Sequence, residues 1–412
     1  MPQSLVVLML AALLGIQPIT TDLYLPALPA LTAGFGAGMV QAQLTLSALL
    51  LAFGCSQLIW GPLSDRFGRR PVLLVGLVLY AAASVGATLA PSMDVLVVWR
   101  VLQGTAMGAA VVCARAIVRD LYAPAVGAQV MSKGLTGLGV LACISAPLGG
   151  LLAEFLGWRY ALLALAVFGS AALSLISLRF KESLAHKNPA ALQPLMLVRV
   201  WRDVLASPAF LSYSALSAAS YGGLFTFLAT SSFVFIQVLG LSNAAYGGLM
   251  FLNSAAYIAG TFLCRRWLPR WGIQKTVALA AGFSLAGGAG MGVLAYLGFG
   301  NVWAIMVPQA VFMLGHGIHQ PCSQSGAVGP FPKSAGAASA LNGFFMMLAA
   351  FGMGIYLGAH MDGTVKPLAY GVWSWSIAIA LSAWILVARF GALNDLPGAV
   401  DTFGSARGSA KS

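Results

Sequence analysis

Predominantly apolar runs of about 20 residues recur twelve times along this chain, and no other feature constrains its fold as strongly. A helix of that length spans the roughly 30 Å hydrocarbon core of a bilayer. The runs lie at approximately 5–29, 43–63, 71–90, 94–116, 133–155, 159–179, 209–237, 245–264, 276–298, 301–323, 336–360 and 367–389. Of the 412 residues, 59% are hydrophobic and only 8% are charged. A soluble protein carries roughly 25% charged residues, so an aqueous surface would be badly short of charge. The mean hydropathy of +0.88 agrees. The chain therefore reads as an all-α integral membrane protein with twelve transmembrane helices and lipid as its main solvent. Its 48 glycines suit helices packed closely in lipid, where small residues let backbones approach.

The net charge of +12 does not point to nucleic acid. The cations sit in short clusters between apolar runs and form no basic stripe. Their distribution predicts orientation instead. Even-to-odd connections hold Arg66, Arg69 and Arg70, then Arg119 and Lys133, then Lys181, Lys187, Arg199 and Arg202, then Arg265, Arg266, Arg270 and Lys275, and finally Lys333. Connections 30–42, 238–244 and 299–300 hold no Lys or Arg, with Arg159 and Lys366 isolated exceptions. Both termini are thus expected in the cytoplasm. The opening stretch Leu5 to Ile19 lacks a basic n-region and reads as a retained helix, not a cleaved signal. Cys55, Cys113, Cys143, Cys264 and Cys322 all fall within or at the ends of spans, so no disulfide framework is expected.

The organisation divides into a six-helix bundle at 1–180, a linker at 181–207, a second six-helix bundle at 208–390 and a cytoplasmic tail at 391–412. In the linker, Leu195, Val198, Trp201 and Val204 alternate with Arg199, Arg202 and Asp203 at helical spacing. That amphipathic pattern predicts a helix on the inner membrane surface. A short internal echo supports duplication. Arg66-Phe67-Gly68 precedes the third span as Arg270-Trp271-Gly272 precedes the ninth, and a basic residue follows each, Arg70 and Lys275. Two related bundles imply a central cleft and alternating access.

The loop Gly61-Pro62-Leu63-Ser64-Asp65-Arg66-Phe67-Gly68-Arg69-Arg70-Pro71 resembles the signature loop of the major facilitator superfamily. The resemblance narrows with Thr21-Asp22-Leu23-Tyr24-Leu25-Pro26, with Arg100-Val101-Leu102-Gln103-Gly104, with Val118-Arg119-Asp120-Leu121-Tyr122, and with Phe331-Pro332-Lys333-Ser334-Ala335-Gly336. Together these are similar to the Bcr/CflA group of drug:proton antiporters, which includes bicyclomycin and chloramphenicol exporters. The resemblance implies the major facilitator fold. It also implies a gating loop of Gly61, Asp65, Arg66, Gly68, Arg69 and Arg70, in which Asp65 helps latch the two bundles. Exporters of this type carry a small-Pro-x-x-Gly-Gly pattern in the fifth span. Here Ala146-Pro147-Leu148-Gly149-Gly150 is one residue short, which displaces the expected kink at Pro147 relative to Gly149 and Gly150.

Ionisable groups at membrane depth are functional candidates by default. Asp22 is the only acid inside the first four spans away from their ends, about 12 Å below the outer end by helical rise. Arg100 lies at a similar expected depth. A carboxylate there can trade a proton for contact with a neighbouring cation, as a coupled exporter requires, so Asp22 and Arg100 form the candidate proton-coupling pair; the alternatives are a static pair or a helix-end role for Asp22. Arg115 is expected to snorkel, and Glu154 sits by the outer end of the fifth span. His316 and His319 share a helix face without a completing metal ligand. The candidates for a greasy cavity with polar handles are Tyr24, Gln103, Tyr221, Phe225, Asn253, Gln309, His316 and Asn342.

The expected activity is proton-coupled export of small amphipathic compounds, antibiotics among them, across a bacterial cytoplasmic membrane by a monomer. A narrow exporter of an endogenous metabolite and a non-transporting sensor stay open as alternatives. No nucleophile–base arrangement, phosphate loop or metal cluster is evident in the sequence, so neither an enzyme nor a metal or organic cofactor is expected, and the proton gradient is the energy source.

Overall fold

The computed structural model describes residues 1–122, 124–332 and 334–391. Lys333, one of the orienting cations, and the tail beyond Gly391 lie outside the described residues.

Helix α1 (Gln3–Asp22) stops within the first span. Pro26 and Pro29 have no N–H, so the carbonyls four residues earlier, on Asp22 and Leu25, lose their helical donors. The chain responds with a short 3-10 turn, Leu25–Ala27, and resumes as α2 (Leu28–Gly34). The expected first span is therefore an interrupted helix, and Asp22 is the last residue before the interruption. Helices α3 (Met39–Phe67) and α4 (Arg69–Thr88) are separated by Gly68 alone. Its φ of +110° is open to glycine and costly for any other residue. Helices α5 (Met93–Leu121), α6 (Pro124–Phe155) and α7 (Trp158–Arg179) complete the first bundle.

The linker holds a 3-10 turn, Pro189–Leu192, and α8 (Pro194–Leu205). Val204 is buried and Trp201 half-buried against the core, while Leu195, Met196 and Val198 are exposed beside Arg199 and Arg202. The second bundle begins with α9 (Pro208–Ser232), which runs into a π-helical turn, Phe233–Val238. Helix α10 (Asn243–Tyr296) is 54 residues long, too long for one crossing, and leaves helical geometry at Gly272 (φ +68°, ψ 177°). It thus supplies the eighth and ninth spans. Helices α11 (Val302–Val328), α12 (Ala335–His360) and α13 (Lys366–Leu381) follow, the last extended by a π-helical turn, Ser382–Val387, and by α14 (Ala388–Phe390). With α1 and α2 counted as one span and α10 as two, twelve spans are present among the described residues.

The sequence echo has a structural counterpart. Gly68 and Gly272 both take positive φ, and each joins two spans with a single residue. Two residues beyond Gly68, Arg70 donates to the main-chain carbonyls of Phe180 (2.9 Å) and Ser177 (3.0 Å), at the end of the sixth span. Two residues beyond Gly272, Gln274 donates to the carbonyl of Val387 (3.0 Å), at the end of the twelfth. The duplicated halves meet along two seams, α3 against α12 and α6 against α10. Large apolar side chains such as Phe155 (76% exposed) and Leu178 (80% exposed) point away from the protein, as a lipid-facing surface requires.

Candidate functional site

Asp22 and Arg100, expected to pair, face different surroundings. Arg100 is fully buried inside the first bundle. Its guanidinium donates to Gln103 Oε1 (2.7 Å), to the Thr20 carbonyl (3.1 Å) and to the Thr45 carbonyl (3.3 Å), and lies 4.4 Å from the centre of the Tyr24 ring. Gln103 in turn donates to Ser84 (2.6 Å), and the Tyr24 hydroxyl donates to Thr45 (2.8 Å). Every fork of the arginine is occupied, and no carboxylate lies within ion-pair distance among the described residues. Tyr24 and Gln103, proposed from sequence as cavity-lining groups, are spent on this network. The reason is local: α1 ends close by, and the arginine fills the polar gap between α1, α3 and α5.

Asp22 instead lines a narrow crevice between the bundles, with room for little more than a water. The walls are Leu25, Ala142 and Ala146 from the first half, and Leu228, Met250, Asn253 and Ser254 from the second. Its carboxylate accepts a hydrogen bond from Thr21 (2.8 Å) and makes no ion pair among the described residues. An acid so placed has no internal counterion, so its charge must be met by a proton, solvent or cargo.

The other expected residues, in the second bundle, mostly make contacts of their own. Gln309 donates to Asn253 (3.2 Å), and its own Oε1 is buried without a partner. Tyr221 accepts from Gln17 of α1 (3.3 Å), which crosses between the halves. His316 bonds Ser220 (2.9 Å) and packs beside the Tyr257 ring. His319 shares a bond with the Val277 carbonyl (3.3 Å), leaving Nδ1 buried and unpartnered. Asn342 donates to Gln324 (2.7 Å), away from Asp22. Phe225 is buried in the packing of the second bundle. Of the eight proposed lining residues, Asn253 alone shares the crevice wall with Asp22.

At the Pro147–Gly149–Gly150 segment, α6 packs closely against the first span and against α10 of the other bundle. A Cβ on Gly149 would lie 2.0 Å from the Leu23 carbonyl oxygen, at the interruption of the first span. One on Gly150 would lie 2.5 Å from the Asn243 carbonyl oxygen, at the start of α10. The α10 side reciprocates: Gly247 faces the Ala146 carbonyl oxygen and Pro147. A turn further on, Glu154 accepts the Ala244 N–H (3.2 Å) at the N-terminus of α10, a favourable seat for a carboxylate. Sequence reasoning did not foresee Glu154 bridging the halves.

At the opposite end lies the signature loop. Arg69 is buried and held by Asp65 (2.6 Å), Asp120 (2.9 Å) and Ser64 (2.7 Å). Glu182 accepts four N–H groups, from Arg69, Arg70, Ser183 and Leu184 (2.9–3.1 Å), and so caps the start of α4. The Asp65 main-chain carbonyl accepts the Asn188 N–H (2.9 Å). Gly61 faces Val112, and Arg66 is exposed beside Phe67. The loop is tied to the ends of α5 and α7 and to the linker, and among the described residues Asp65 makes no direct bond to the second bundle. Asp120 and Glu182 were missed as partners. An acid just beyond the sixth span, facing an uncapped helix start two arginines long, was the available signal.

Comparison with known proteins agrees with this architecture. The family model described as Major Facilitator Superfamily matches residues 10–354. The chain is 31% identical over 338 residues to multidrug resistance protein D of Escherichia coli, covering 82% of this chain and 84% of that one. It is 31% identical over 328 residues to the chloramphenicol resistance protein of Pseudomonas aeruginosa (78% and 75% covered). It is 25% identical over 384 residues to a bicyclomycin resistance protein homolog of Haemophilus influenzae (93% and 96%). Among solved structures, a D-xylose-proton symporter superposes with a TM-score of 0.70 at 16% identity, over 92% of this chain and 97% of the other. At that identity the likeness is one of fold.

Proposed function

Because the chain belongs to the major facilitator superfamily, and is thus a multi-pass membrane transporter and not an enzyme, we propose that it exports small amphipathic compounds, antibiotics among them, in exchange for protons. The names of its relatives, resistance proteins for multiple drugs, chloramphenicol and bicyclomycin, support that substrate class. The single observation that carries the coupling is the position of Asp22. It is an acid without an ionic partner among the described residues, at a helix interruption, facing the crevice between the bundles. Protonation on one side of the membrane and cargo arrival on the other would compete for one carboxylate. Alternating access then links the two fluxes. In this scheme Arg100 shapes the first bundle and takes no part in proton exchange.

The bundles move as bodies about the α3–α12 and α6–α10 seams. The basic connections support a cytoplasmic side for the signature loop, the linker and both termini, in a bacterial inner membrane. A monomer contains both bundles and the whole crevice, and no bound cofactor is required.

The test pairs a drug-susceptibility panel in an efflux-deficient host with proteoliposomes. The native chain should raise tolerance to several amphipathic drugs and build a substrate gradient when a proton gradient is imposed. Asp22→Asn should abolish that uphill movement while leaving binding of an uncharged substrate in place. A sustained proton-driven gradient in Asp22→Asn would remove Asp22 from the mechanism. Unchanged tolerance to every drug would favour a narrower metabolite exporter.

A further inference from the structure

Cys264 of α10 and Cys322 of α11 stand apart from the crevice and from the signature loop. Both thiols are free and buried, 4% and 1% exposed, and their sulfurs are 3.5 Å apart. The other cysteines, Cys55, Cys113 and Cys143, have no thiol neighbour at such a distance among the described residues. A disulfide needs about 2.05 Å between sulfurs. Closing the gap takes about 1.5 Å of sulfur movement, within the swing of side-chain torsions.

What such a bond would tie is defined by the surroundings. Pro321 precedes Cys322 and has no N–H to give the Gly317 carbonyl, so α11 is weakened there. Beyond that point, Gln324 donates to Ser339 of α12 (2.9 Å) and accepts from Asn342 (2.7 Å). Ser339 accepts from Arg115 of α5 (2.7 Å), which belongs to the other bundle. Cys322 therefore sits between a weakened helix turn and a polar chain that crosses between the halves at the signature-loop end. Upstream of Pro321, Gly260 and Gly317 already hold α10 and α11 in close contact. Past Pro321 the segment is held by other neighbours, with Ser323 accepting from Ser217 of α9 (2.7 Å) and Gly326 against the Tyr213 ring.

We propose that Cys264 and Cys322 are an oxidisable dithiol, which a peroxide converts to a disulfide stapling the post-Pro321 segment of α11 to α10. Cys264, followed along the chain by Arg265, attacks one peroxide oxygen; the O–O bond breaks, an S–O bond forms, and one water leaves. Cys322 then attacks the sulfenyl sulfur; the S–S bond forms, the S–O bond breaks, and the hydroxyl leaves as a second water with the two thiol protons accounted for. The dithiol loses two electrons and the peroxide gains them. In a reducing cytoplasm the pair stays as thiols, and peroxide stress closes it.

The test uses the full chain in proteoliposomes, with hydrogen peroxide as the probe. After treatment, denaturation and alkylation, non-reducing peptide mapping should find the segments bearing Cys264 and Cys322 joined, and dithiothreitol should release them. Fluorophores introduced through unnatural amino acids at Lys133 and Ser325 report the spread of distances across the signature-loop end. That spread should narrow at least twofold on oxidation and recover on reduction. Cys264→Ser and Cys322→Ser should each abolish both effects. Both thiols still alkylated after peroxide would overturn the proposal, as would a formed crosslink that leaves the distance spread unchanged. Should either variant fail to fold, the map of the native chain still decides. Neither readout depends on which compound is exported, so drug export can fail while this holds, and the reverse.

Discussion

Replacing Gly150 with alanine isolates the contact between α6 and the start of α10, across the two bundles. The added Cβ would lie 2.5 Å from the Asn243 carbonyl oxygen, 3.2 Å from its carbonyl carbon and 3.3 Å from the Ala244 Cα. All three are backbone atoms, so no side-chain rotation relieves the clash. Reaching an ordinary contact of about 3.4 Å requires α6 and α10 to separate by about 0.9 Å, and overpacking of that kind costs about 1–3 kcal/mol. The strain arises in the arrangement described, where the ends of the bundles away from the signature loop are together. It should therefore shift the population away from that arrangement by about 5- to 150-fold. Labels at Ala37 and Leu239, on opposite halves at that end, read the shift as a longer distance by spin-label spectroscopy. The control is Gly139→Ala in the same helix, where a Cβ would meet nothing within 4 Å. It should leave the distance and the unfolding midpoint in place. An unchanged distance in Gly150→Ala, with stability equal to that of Gly139→Ala, would refute the reasoning.

Arg100→Met should cost about 3 kcal/mol or more, because the acceptors on Thr20, Thr45 and Gln103 are orphaned together; thermal unfolding in detergent measures it, and near-native stability would undo the structural role. Glu182→Gln should cost about 0.5–1 kcal/mol, since the amide oxygen still accepts N–H groups but the charge at the start of α4 is gone. That loss should shrink in high salt, and a salt-independent loss would point elsewhere. A cytoplasmic reporter fused after Phe390 should be active, and one inserted at Ala37 should report the opposite side. Activity in the reverse pattern would invert the orientation drawn from the charges.

The spans were legible because hydrophobic length is a bulk property, and a bilayer reads it the same way wherever it occurs. The two bundles were legible from the repeated Arg-aromatic-Gly, since positive φ and a one-residue connection both demand glycine. The interruption after Asp22 was present in the sequence as Pro26 and Pro29, yet the whole stretch reads as one apolar run, because hydropathy is blind to missing donors. The Asp22–Arg100 pairing failed for a different reason. Depth along the membrane is computable from helical rise, but rotation about each helix axis is not, and the two groups point to different sides of the first bundle. The same blindness to rotation placed Tyr24 and Gln103 in the cavity and left out Met250, Ser254, Ala142 and Ala146, which line it. Glu182 was overlooked because its value depends on four N–H groups converging in space, which no linear motif records.

Gly68 and Gly272 each complete a connection with one residue, and that sets a rule for how much sequence the two loops can absorb. A link with no spare length transmits force between its flanking spans without slack. Spans two and three, and likewise eight and nine, are bound to travel as stiff pairs. One additional residue would rotate everything beyond it by about 100°, pulling Arg70 off the end of the sixth span or Gln274 off the end of the twelfth. These two sites should thus reject epitope tags and small insertions. The connection between the π-helical turn and α10, at 239–242, has residues to spare and should accept them.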